Sequence, residues 1–265
     1  MARFFKLRET PALTVRFTSA MLCIFLVLMA WTICTAGPID SRWLSPHIIP
    51  SPSETFSSLG RLWFDQALMR NIIASLWRVS LGFGLAAVVG VPLGVVCGTW
   101  PITNAFLAPI STFGRNVPMS ALVPLTLLWF GIDELQKVMF IFIACVMFVV
   151  FDSARAIASV QERYVQSAFT LGASTKQVLF KVLVPLAMPE IFTSLRLLFG
   201  IAFGYIILAE MVHETDGLGM LIQSAQRRAL HEIVYLVLFT ITLLAFTIDR
   251  ALFFLELTLF PYREV

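Results

Sequence analysis

The chain reads as an all-α, polytopic bundle that crosses a membrane with six helices. Three observations predict it. Hydrophobic residues make up 58% of the 265 and charged ones only 13%, where a soluble domain carries about a quarter charged. Mean hydropathy is +0.87. Six apolar blocks of about twenty residues follow one another, the length a helix needs to cross the hydrocarbon core. The same composition excludes other classes. A net charge of +3 makes no case for nucleic acid. Cys23, Cys34, Cys97 and Cys145 all lie within apolar blocks without metal-ligand spacing, and read as small packing residues.

Residues 1–16 carry Arg3, Lys6, Arg8 and Arg16 against Glu9, which places this end in the cytoplasm by the positive-inside rule. Span one covers 17–36 and lacks a small-x-small cleavage site, so it is read as a retained helix. Residues 37–71 form an outer, periplasmic loop. Within it Ser51-Pro52-Ser53-Glu54 places a capping serine, a proline at the first helical position and a glutamate at the third. That starts an interfacial helix running to about Asp65.

The core is expected over 72–262, followed by a cytoplasmic tail, 263–265. Span two, about 72–98, repeats Gly90, Gly94 and Gly98 every four residues. Such glycines let helices approach closely where hydrophobicity alone cannot drive association. Pro92 predicts a kink. Span three, about 105–130, holds Pro109, Gly114, Arg115, Asn116, Pro118 and Pro124, a composition of broken helices that line a cavity. Span four, 138–158, ends with Asp152 and Arg155 spaced for a local ion pair. Span five, 192–211, carries Gly200 and Gly204 at the packing spacing, Arg196 placed to snorkel to the inner headgroups, and Glu210 near the outer end. Span six covers 233–248, with Asp249, Arg250 and Arg263 inside. Both termini are then cytoplasmic, and Lys and Arg are denser on that side.

Between spans four and five lies VQSAFTLGASTKQVLFKVLVP, residues 165–185. Val165, Ala168 and Phe169 give one apolar face, Gly172 breaks the helix, and Ser174 with Gln177 has capping-box spacing for a second one, ending at Pro185. A short amphipathic pair on the cytoplasmic side needs a partner to bury its face.

Catalytic signatures are missing. There is no G-x-x-x-x-G-K-[ST] phosphate loop, no H-E-x-x-H among His47, His213 and His231, and no G-x-S-x-G. No catalytic or metal-ligating set is expected. A proton-coupled transporter needs acids buried near the midplane, and no candidate stands out. Energy for transport would come from another subunit.

At 165–185 the residues resemble the cytoplasmic EAA loop of permease subunits of bacterial ABC importers. Gly172 sits at the place of the pattern's glycine, Val182-Leu183-Val184-Pro185 stands for the ending, and Gln166-Ser167-Ala168 replaces the acid and first alanine. Ser75-Leu76-Trp77-Arg78, Arg115-Asn116-Val117-Pro118, Ala121-Leu122-Val123-Pro124-Leu125, Leu128-Trp129-Phe130-Gly131-Ile132, Pro189-Glu190-Ile191 and Gly217-Leu218-Gly219 are similar to the nitrate/sulfonate/taurine/bicarbonate branch. The resemblance covers about 46–262. It implies a type I importer permease in the bacterial inner membrane, a homodimer working with two ATP-binding subunits and a periplasmic solute-binding protein, with lipid around it. ATP and Mg would sit on the partner ATPase, and this chain would hold no cofactor. Loop 163–185 would dock on that ATPase through Arg163, Gln166, Ala168, Phe169, Leu171, Gly172, Ala173, Ser174 and Lys176.

For the pathway the candidates are Arg78, Arg115, Asn116, Pro118, Ser120 and Glu210. Each of the arginines has a plainer role open to it: Arg115 as a surface anchor, Arg78 as partner of a headgroup or of Glu210. An arginine-lined passage suits an anion. A permease for a neutral heterocycle such as a pyrimidine vitamin precursor is the alternative, and an ion-gradient-driven secondary transporter is the rival from another class.

Overall fold

A computed structural model describes residues 12–37, 42–45, 48–212 and 216–262. Arg3, Lys6, Arg8, Glu9, His47, His213 and Arg263 lie outside these residues. Every regular element among them is helical. Five helices are long and apolar enough to cross a membrane, and a shorter apolar one joins them.

Helix α1 (Leu13–Cys34) is apolar on all sides and buries none of its residues. Trp31 ties it to the following loop, its Nε1 donating to the Pro50 carbonyl at 3.0 Å. Helix α2 (Pro52–Ser57) begins as its sequence demands. The Ser51 hydroxyl accepts from the Glu54 N–H, and the Glu54 carboxylate accepts from the Ser51 N–H at 2.8 Å. That backbone donor, with Arg42 at 3.0 Å, holds the Glu54 carboxyl below the usual carboxylate range. The helical path reaches Asp65 as expected, but through a widened π turn at Arg61–Asp65.

Helix α3 (Leu68–Thr99) starts four residues before the expected boundary and runs unbroken through Pro92. Asn71 secures its start, donating from Nδ2 to the Gln66 and Ala67 carbonyls. Its seam with α6 (Glu134–Ala158) organises the bundle. A Cβ at Gly90 would stand 2.7 Å from Val149, at Gly94 2.6 Å from the Val150 carbonyl, and at Gly98 2.5 Å from the Ala154 carbonyl. Gly82 meets Val138 in the same way, and Ala86 between them is fully buried, so the stripe is longer than three glycines. Gly94→Val should lower the detergent thermal midpoint by several degrees, because the branched side chain strikes backbone that cannot yield; such overpacking costs about 1–3 kcal/mol.

Gly200 and Gly204 do not repeat this arrangement. A Cβ at either would meet nothing within 4 Å. Their helix turns Leu198, Ala202, Phe203, Ile206 and Ala209 to the core, which leaves these glycines on the opposite side. They are not packing glycines within the described chain.

The third span is broken, as its prolines predict. Helix α4 (Pro101–Arg115) and helix α5 (Met119–Phe130) are separated at Asn116–Pro118. With 15 and 12 residues each is shorter than a helix needs to cross alone.

Helices α7 (Glu162–Thr170) and α8 (Thr175–Val178) form the connecting pair. Pro185 does not end the second of them. A π turn at Leu179–Leu183 precedes it, and the helix continues into α9 (Val184–Glu210), giving one 36-residue helix over Thr175–Glu210. Widening the turn before Pro185 accommodates its ring and missing N–H without stopping the helix. Helix α10 (Leu218–Arg227) is short and amphipathic, and α11 (His231–Leu259) is longer than the expected 233–248. Asp249 and Arg250 fall inside α11 because both have partners. Arg196 lies 3.5 Å from Asp249, and Arg250 stacks on Phe246 and Phe253. Arg196 therefore does not snorkel; it is held between Asp249 and Glu256 over the Phe253 ring. The α7–α8 pair marks one end of the bundle, called proximal here, and α2 and α10 mark the distal end.

Candidate functional site

At the proximal end, helix α7 closes with a Schellman cap. The Gly172 N–H donates to the Phe169 carbonyl at 2.9 Å and the Ala173 N–H to the Ala168 carbonyl at 3.0 Å. This geometry needs a left-handed residue at the turn, and Gly172 supplies it with φ of +81°. Ser174 then starts α8 with the expected capping box, its N–H donating to Gln177 Oε1 at 2.8 Å. Two caps back to back fix the angle of the pair.

The pair buries its own core sparingly. Val165, Ala168 and Ala173 are half-buried and turn inward, whereas Phe169 is 48% and Leu171 87% exposed. Arg163, Gln166, Ser174 and Lys176 are exposed around them, with Arg163 bonded to and stacked on Tyr164. An apolar tip with a polar rim is the anatomy of a docking surface.

At the distal end the structure assembles a cluster that only partly shows in the sequence. Arg78 is 2% exposed. Its Nε and Nη2 donate to Glu134, its Nη1 to Glu210 at 2.8 Å and to the Asp216 carbonyl at 3.0 Å, and its Nη2 also to the Asp216 carboxylate. All five guanidinium N–H groups are thus used. Glu210 is fully buried; both of its oxygens lie 2.8 Å from the Ser75 hydroxyl, whose single proton they share, and it accepts once from the Gly219 N–H. The Leu218 N–H donates to Ser75 Oγ, and the Gly217 N–H to Asn71 Oδ1 at 2.6 Å. A Cβ at Gly217 or Gly219 would collide with Glu210, so Gly217-Leu218-Gly219 is the only kind of turn that fits against this carboxylate.

Arg78 and Glu210 therefore pair with each other, one of the two roles open to Arg78. The pathway candidates at the helix break stand apart from them. Arg115 lies 3.5 Å over the Phe151 ring, with Nε buried and without a hydrogen-bond partner. Asn116 donates to the Thr112 carbonyl, and Pro118 and Ser120 are exposed at the start of α5. No bond joins this group to the distal cluster among the described residues. Sequence reasoning missed Glu134 and Asp216, whose signal was no more than an acid in each distal loop. It named Glu210 without expecting its burial, and passed over Glu256, a buried acid that accepts from Thr193 Oγ1 at 2.6 Å.

A family model described as "Binding-protein-dependent transport system inner membrane component" matches residues 90–258. The chain belongs to this family. It is 32% identical over 243 residues to the taurine transport system permease protein TauC of Escherichia coli, covering 90% of this chain and 86% of that one. The bicarbonate transport system permease protein CmpB of Synechocystis is 31% identical, with 88% and 85% covered. The nitrate import permease protein NrtB of the same genus is 29% identical, with 91% and 88% covered. The fold is also that of a chain in an inward-facing MetNI methionine ABC transporter structure, with a TM-score of 0.64 at 20% identity over 71% of this chain and 94% of that one. The chain is thus a multi-pass permease subunit of an ABC importer, not an ion-gradient-driven transporter.

Proposed function

We propose that this permease forms the translocation pathway for a small anion, received from a periplasmic solute-binding protein and driven by two ATP-hydrolysing subunits. Its relatives named for taurine, bicarbonate and nitrate share a solute class in which negative charge is spread over oxygen atoms. In this reading two copies of the chain enclose the pathway, both termini and the α7–α8 pair face the cytoplasm, and α2 and α10 face outward. ATP and Mg act on the partner subunits, and this chain carries no cofactor. The observation that carries the coupling is the exposed Phe169–Leu171 tip, held rigid by its two caps. Loop residues from Arg163 to Lys176 form the dock, and Arg115, Asn116, Pro118 and Ser120 at the break in span three line the passage. Arg115, whose buried Nε has no hydrogen-bond partner, is the group that would meet an anion.

The test is uptake into proteoliposomes holding the permease, its ATPase subunits and its solute-binding protein. ATP-dependent accumulation of taurine, bicarbonate or nitrate is expected, and Arg115→Ala should lower it more than tenfold if the guanidinium is worth the roughly 1.5–3 kcal/mol of a charged hydrogen bond. Accumulation driven by an ion gradient without ATP overturns the reading.

A further inference from the structure

The distal cluster links two parts of the bundle that are otherwise built differently. Helices α3 and α6 are locked together along their whole seam by the glycines at 82, 90, 94 and 98. Arg78 and Glu134 belong to this block, and their bond does not leave it. Glu210 and Asp216 belong to the limb formed by α9 and the turn into α10. The bonds from Arg78 to Glu210 and Asp216, from Ser75 to Glu210, and from Leu218 and Gly217 back to Ser75 and Asn71 all cross between block and limb.

The two sides of this crossing are unequally prepared for separation. If the limb leaves, Arg78 keeps the two-pronged bond to Glu134, whose side chain is 62% exposed and already reaches water. Asp216 would leave both Arg78 and Arg70, the latter 3.5 Å away on α3, but its side chain is 21% exposed and already reaches water. A buried ion pair is hard to open because each charge is stranded; here the guanidinium has a second partner waiting and the Asp216 carboxylate has solvent. The limb is also continuous with the α7–α8 pair, since one 36-residue helix of about 54 Å runs from Thr175 to Glu210.

Resting on the reading of this chain as an importer permease, we propose that Arg78 is a positioning residue of the transport cycle. It latches the α9–α10 limb to the α3–α6 block at the outer end, and Glu134 makes the latch releasable by holding the guanidinium once the limb has gone. The helix Thr175–Glu210 carries the motion of the docked pair to this latch.

The proposal makes two substitutions move in opposite directions, which a static staple would not do. Asp216→Asn weakens the closed state only. Glu134→Gln removes the waiting partner and so penalises the open state. Both residues reach solvent, which favours folding of the variants. In proteoliposomes with the complete transporter, ATP hydrolysis is measured with and without the solute-binding protein. Asp216→Asn should raise hydrolysis in its absence by about fivefold, and Glu134→Gln should lower the stimulated rate by a similar factor, the range of a modest coupling energy. Glu134→Asp, which keeps the carboxylate, should restore it. Variants that match wild type, or that shift the rate in the same direction alongside a loss of thermal stability, overturn the latch. A wild-type transporter whose hydrolysis the solute-binding protein does not stimulate overturns the functional reading itself, and the latch with it.

Discussion

Phe169→Asp should reduce ATP-driven uptake to background while leaving the permease in the membrane at its normal level. The ring is half exposed and belongs to no core cluster, so its loss leaves the bundle intact. Placed in an apolar groove of a partner, an aromatic anchor contributes at least about 2 kcal/mol, roughly thirtyfold in affinity, and a buried carboxylate in its place opposes docking outright. Gly172→Pro should have the same outcome by another route. Proline removes the N–H that closes the cap on Phe169 and forces φ to about −65°, where the chain requires +81°. Copurification of the ATPase with each variant, beside uptake, separates failed docking from failed folding. Normal uptake by both would remove the coupling role from this surface.

Arg78→Met should act on the molecule as a whole. Glu210 is fully buried and would lose the guanidinium that stands 2.8 Å from it. Stranding one charge of a buried pair costs about 3–5 kcal/mol, a large part of the 5–15 kcal/mol that holds a typical domain folded. A fall in membrane abundance and in the detergent thermal midpoint is expected. Arg78→Met combined with Glu210→Gln should recover part of both, because the stranded charge is gone. A double variant as unstable as the single one would mean that packing of the arginine, not its charge, is what matters.

Much of the local structure is legible in the chain. Ser51 with Glu54, and Ser174 with Gln177, declare their helix starts, and Gly172 declares the turn between α7 and α8. The prolines of 105–130 declare the broken span. What spacing cannot show is which side of a helix meets a neighbour. Gly200 and Gly204 have the same interval as Gly90 and Gly94, yet one pair faces open space and the other a backbone carbonyl. Helix ends were misread where a local signal was overruled. Pro185 predicted a stop that the preceding π turn absorbs, and Asp249 predicted an inner boundary that Arg196 neutralises. The distal cluster was the least legible. Arg78 lies 56 residues from Glu134, 132 from Glu210 and 138 from Asp216, and only the assembled bundle brings them together.

Helix α1 stands outside all of this. Its 22 residues bury no side chain against the rest of the chain, so as far as this chain's own packing is concerned, nothing distinguishes one apolar residue from another there. Selection acting through that packing can see its length and its oiliness but hardly its spelling. Trp31, which reaches the Pro50 carbonyl, is the exception. Substitutions should therefore accumulate in α1 faster than in α3 or α6, where a single added methyl group has nowhere to go.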